Sequence, residues 1–121
     1  MRTTTVTLLP TTTYGTPSGN YDGSSTDWPG TAQQAADYYG GFGALQTTAF
    51  YLNGFAGIIN IEATLDSDSD SADWFTVYTV DASVDPITAN WSQNITGKFT
   101  FIRATVESFS AGSITKVTLT Y

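Results

Sequence analysis

The chain has 121 residues, 40% hydrophobic and 14% aromatic, which is enough for one packed core and too short for two. Its formal charge is −7, and the 4 basic residues (Arg2, Lys98, Arg103 and Lys116) are too scattered to form the footprint that nucleic acid demands or to hold an anionic membrane. Cysteine and histidine are absent, which excludes disulfides, thiolate metal sites, a thiol nucleophile and the usual general base.

Charged residues make up only 12%, so the polar surface is built mainly from Thr, Ser, Asn and Gly. These suit strands and turns better than helices. In chain order, TVTLL (Thr5 to Leu9) reads as one short strand, and TPSGNYDGSSTDWPG (Thr16 to Gly30) is turn chemistry throughout. TAQQAADYYGGFG (Thr31 to Gly43) is the one helix candidate, with Thr31 as N-cap and Gly40 as stop. From Leu45 the pattern is β. LQTTAFYLN (Leu45 to Asn53) is a strand, and Asn53 to Gly57 is a glycine-bearing connection. GIINIEATL (Gly57 to Leu65) sets Ile59, Ile61, Ala63 and Leu65 on one face. WFTVYTV (Trp74 to Val80), GKFTFIRATVES (Gly97 to Ser108) and SITKVTLTY (Ser113 to Tyr121) complete the strands, with a long polar connection before Gly97 and a turn at Ala111-Gly112. Six or more short strands with almost no helix predict an all-β protein, a small antiparallel β-sandwich of jelly-roll-like form. Residues 1–44 are expected as an extended N-terminal arm, and residues 45–121 as the sandwich core.

The run DSDSDSADWF (Asp66 to Phe75) raises the question of a cation, because hard cations want several oxygens. Asp66, Asp68 and Asp70 are the weak Ca²⁺ candidates. The run lacks the central Gly and distal Glu of a calcium loop, so it is expected to be a charged connection, and no cofactor is expected. Glu62 and Glu107 are the two glutamates, and both look like outward positions on strands rather than a catalytic pair. Arg103, mid-strand beside Phe99 and Phe101, is expected to pair with a carboxylate and lay its stem on apolar surface. Asn90-Trp91-Ser92 and Asn94-Ile95-Thr96 match the glycosylation triplet, but MRTTTVTLLP shows no export signal, so both are read as coincidence. No phosphate loop, dinucleotide fingerprint or nucleophile elbow occurs. The loop aromatics have three readings: cover for an open end, protein interface, or sugar platform. The interface candidates are Val6, Leu8, Leu9, Tyr14, Tyr21, Trp28, Tyr38, Tyr39 and Phe42, and the sugar-platform candidates are Trp28, Tyr39 and Trp91.

The succession YDGSSTDW, ADYYGGFGALQTTAFYLNGFAGIINIEATL, DWFTVY and ITGKFTFIRATVESFSAGSITKVTLTY, over roughly Tyr21 to Tyr121, resembles small virion proteins of tailed bacteriophages, especially marine ones. The ordered series G-F-x-G-x-I, A-T-L, D-W-F, G-K-F-x-F-I-R-A and G-S-I-x-K-V carries the likeness. It implies a non-enzymatic structural component of the virion, with no catalytic residues. A capsid decoration or cement protein is expected first, contacting the major capsid or tail protein and copies of itself. The alternatives are a neck, tail or baseplate accessory, or a carbohydrate-binding module of a tail fibre. A hydrolase built on Asp/Glu pairs is the remaining rival. On the arm reading, removal of Met1 to Thr13 is expected to leave the sandwich folded but unattached.

Overall fold

The computed structural model describes residues 4–36, 45–68, 70 and 72–121. Among these, every regular element is a strand: β1 (Thr5–Leu9), β2 (Thr12–Thr13), β3 (Trp28–Pro29), β4 (Gln33–Gln34), β5 (Leu45–Thr64), β6 (Phe75–Asp81), β7 (Ile87–Thr96) and β8 (Phe101–Thr120). All pair antiparallel in one hydrogen-bonded sheet, so the all-β expectation holds. No helix among the described residues is long and apolar enough to cross a membrane.

Two strands of 20 residues, β5 and β8, form the spine and pair from Thr47↔Thr120 to Thr64↔Phe101. Beyond β5 lie β7, paired to its first half, and β6, paired to its second. Beyond β8 lie β1 and β2 at its C-terminal half, and β3 and β4 at its N-terminal half. A straight strand of that length would span roughly 65 Å, against a radius of gyration of about 14 Å for a domain of this size. Both strands therefore have to bend.

The bend lies where the ladder slips, between Tyr51 and Ile58. Gly54 (φ +66°) and Gly112 (φ +82°) meet there, and a Cβ on Gly112 would run into the Gly54 carbonyl. The slips also change phase. Before the bend the buried positions of β5 are Gln46, Thr48, Phe50 and Leu52; after it they are Ile59, Ile61 and Ala63, with Thr64 buried at the strand's end. Extra residues at a bulge reset the alternation, so one continuous face stays turned to the core around the corner. Contacts span the bend: Phe55 lies 5.6 Å from Phe109, and Phe50 on the first half lies 5.7 Å from Tyr78 on β6. In place of two separate expected sheets, the chain forms one bent sheet.

Four expectations change in detail. Residues 4–36 do not stand apart as an arm, because Leu8, Leu9, Tyr21, Trp28 and Ala35 join the same core cluster as Ile59 and Val117. The described part of the expected helix contains β4, whose Gln33 and Gln34 pair with Ile102 and Phe101; the rest, 37–43, lies outside the described residues. Pairing with β8 outweighs the helix propensity of Ala and Gln. Lastly, Ala111-Gly112 bends β8 rather than reversing it, and the long polar connection contains the ten-residue strand β7.

Candidate functional site

β5 and β8 carry four charged residues, Glu62, Arg103, Glu107 and Lys116. Glu62 and Arg103 are cross-strand partners, and the Arg103 Nε–H donates to Glu62 Oε1 at 2.7 Å. The guanidinium also lies 4.4 Å from the centre of the Trp74 ring. The expected carboxylate partner is therefore Glu62, and the aromatic neighbour is Trp74. Asp27, Pro29, Thr105 and Glu107 extend this patch as a shallow groove. Glu107 stands opposite Ile58 and Glu62 opposite Arg103, so roughly 13 Å of strand separates the two glutamates. Both border the same shallow groove, with Glu62 held in its ion pair to Arg103.

The carboxylates of the acidic run serve their own turn. Asp66 Oδ2 accepts from the Asp73 N–H at 2.6 Å, and Asp68 Oδ1 accepts from the Asp70 N–H at 3.0 Å. Among the described residues no three acidic groups converge as a metal site would need. Two other aspartates close tight turns. Asp22 is pulled down to about 2, chiefly by the Ser24 and Ser25 backbone N–H groups and the Ser25 hydroxyl. Asp81 is lowered by the hydroxyl and then the N–H of Ser83.

The predicted interface residues go mostly inward. Leu8, Leu9, Tyr21 and Trp28 are buried, and Val6 packs half-buried against them. Phe109 gathers Tyr14, Tyr21, Trp28 and Phe55 at centroid distances between 5.2 and 6.4 Å. Among the described candidates only Tyr14 keeps substantial exposure, 49%. Tyr38, Tyr39 and Phe42 lie outside the described residues. The sugar-platform residues are not brought together: Trp28 is buried on β3, against one flank of the spine. Trp91 sits on β7, against the other flank, stacked on Phe50 at 4.9 Å. Its indole N–H donates to the Tyr78 hydroxyl at 3.4 Å.

The feature that sequence reasoning missed is β7. Its ten residues, ITANWSQNIT, contain no charge, and among the described residues they pair with β5 alone. Thr88, Asn90, Ser92, Asn94 and Thr96 are all exposed. The other flanking strands are guarded. The Gln33 side chain bonds the Thr7 carbonyl on β1, and Ser18 bonds the Thr11 carbonyl beside β2. The acidic run precedes β6, which ends at Asp81. Proteins normally blunt long sheet edges with charge, proline or a covering segment. Within its span β7 carries no charge and no proline; Asp85 and Pro86 precede it, Lys98 follows, and the Gln93 side chain donates to the Asn94 carbonyl at 3.2 Å. The alternation of Ile87, Ala89, Trp91 and Ile95 was a legible period-two signal, interrupted at Gln93.

No protein-family profile, no curated protein and no solved structure matches the chain.

Proposed function

We propose that this chain is a non-enzymatic structural protein of a bacteriophage virion, placed as a capsid decoration or cement protein that contacts neighbouring subunits. The observation that carries this reading is the long, neutral edge of β7, which among the described residues pairs with β5 alone, on an otherwise acidic molecule. Such an edge presents backbone donors and acceptors to a neighbour's strand. Repeated on a shell, contacts of this kind stabilise the assembled state by mass action. The series G-K-F-x-F-I-R-A and G-S-I-x-K-V, in which the chain resembles small phage virion proteins, favours the same role. Because Leu8, Leu9, Tyr21 and Trp28 serve the chain's own core, attachment falls to the sheet edge rather than to an N-terminal arm.

The test is to purify particles of the phage that encodes the chain. Peptide mass spectrometry and a density map are expected to find it in many copies on the head, near β7 contacts. Removing it is expected to lower the temperature at which shells release DNA. Absence from purified particles would end the proposal; a few copies at the tail would move the chain to the accessory role.

A further inference from the structure

The outward residues of β7 read Thr88, Asn90, Ser92, Asn94, Thr96, a series that is the same in both directions about Ser92. We propose that two copies of this chain pair β7 with β7, antiparallel, about a twofold axis through Ser92. This joins two bent sheets into one.

In that register Ser92 faces Ser92, Asn90 faces Asn94, and Thr88 faces Thr96. On the other face, Trp91 faces Gln93 and Ala89 faces Ile95. A twofold contact requires a surface complementary to itself, and antiparallel pairs of like Thr and Asn side chains hydrogen-bond across strands. All five outward residues are exposed, and β7 is continuous over this span.

Charge points to the same occupant. Each copy carries −7, so two copies repel wherever acidic surfaces meet. β7 is a ten-residue strand with no charge, and it brings no like charges face to face. An edge meant for a basic partner would carry carboxylates. This one carries only hydroxyls and amides, which are their own complements. The inference shares β7 with the virion reading but does not depend on it, because pairing in free solution occurs whatever particle the chain belongs to.

Ser92 is exposed and its β5 partner is Ala49, so its side chain tolerates substitution within one copy. Cysteine is otherwise absent. Residues directly opposite in an antiparallel pair have Cα atoms roughly 4.5–5.5 Å apart, within disulfide reach. Full-length Ser92→Cys protein under mild oxidation is expected to form a covalent dimer about tenfold faster than Asn90→Cys, whose counterpart is residue 94. The double variant Asn90→Cys with Asn94→Cys is expected to link as readily as Ser92→Cys. In sedimentation the native chain is expected to shift from monomer toward dimer over roughly 0.1–1 mM, as suits a small interface. The shift should be stronger in added salt, which screens the repulsion. Ser92→Lys and Ser92→Asp are each expected to stay monomeric with unchanged circular dichroism, and their mixture to dimerise. A native chain that remains a 12.9 kDa monomer throughout overturns the proposal, as does equal cross-linking by Ser92→Cys and Asn90→Cys. A dimer in solution that is missing from particles would leave this pairing intact and remove the virion reading; a monomer that decorates particles would do the reverse.

Discussion

At the residue scale, several polar side chains and one glycine hold loops that the core alone would not fix. Asp22 is the clearest. Its carboxylate accepts from the backbone N–H groups of Ser24 and Ser25 at 2.9 and 2.7 Å, and this holds its pKa near 2. The folded value lies below the unfolded one of about 3.9. The contribution is therefore full above about pH 4 and disappears as pH falls through about 2. Asp22→Ala is expected to flatten that part of the stability curve, measured as the urea midpoint against pH. Gly112 offers the opposite lesson. A side chain there faces both a left-handed backbone and the Gly54 carbonyl, so Gly112→Ala is expected to cost about 3 kcal/mol in denaturant unfolding. Ser108 takes φ 53° one turn of chain earlier, and the Asp27 carboxylate accepts its N–H at 3.0 Å, which supports a conformation that serine seldom adopts.

At the element scale, the aromatic side chains decide which strands matter most. Phe109 is fully buried with four ring neighbours, and Trp91 is half-buried with its main ring contact on Phe50. Phe109→Ala is expected to lose about 4 kcal/mol and Trp91→Ala about 2 kcal/mol, read from thermal or urea unfolding of each variant. Legibility varies with the element for physical reasons. GIINIEATL reads as a half-buried strand because Ile59, Ile61 and Ala63 alternate with polar residues, and all three are fully buried. The pattern overreaches by one position, since Leu65 lies past the last ladder pair and is 64% exposed. Gly54, Gly57 and Gly112 look like reversals in sequence. Glycine permits a bend as readily as a turn, and only pairing along both flanks decides between them. The candidate site was less legible still. The mirror symmetry of Thr88 to Thr96 becomes visible only once every second residue is known to face outward, and Asn and Ser obscured that strand.

At the scale of the whole molecule, the leading residues are part of the body. Leu8, Leu9 and Thr12 are fully buried, and β1 and β2 pair with the last third of β8. Removing residues 1–13 therefore strips apolar area worth about 5 kcal/mol, comparable with the net stability of a small domain. The truncated chain is expected to lose cooperative unfolding and amide dispersion in nuclear magnetic resonance, rather than to persist as a folded but unattached core. The spine has a related effect. Because β5 and β8 each run through both halves of the sheet, neither half has a private core, and unfolding is expected to be a single transition by every probe.

The pairing of Thr5 with Thr120 also sets a timetable for synthesis, since the two residues are separated by 115 positions. β1 must wait for the far end of β8 to leave the ribosome before its hydrogen bonds can close. Meanwhile β5 emerges with its main partner still unmade, and the nascent chain carries long unsatisfied strands. Its folding is accordingly expected to be slow and to wait until β8 has emerged, with yield governed by crowding and by chaperones that shield bare strands during the delay.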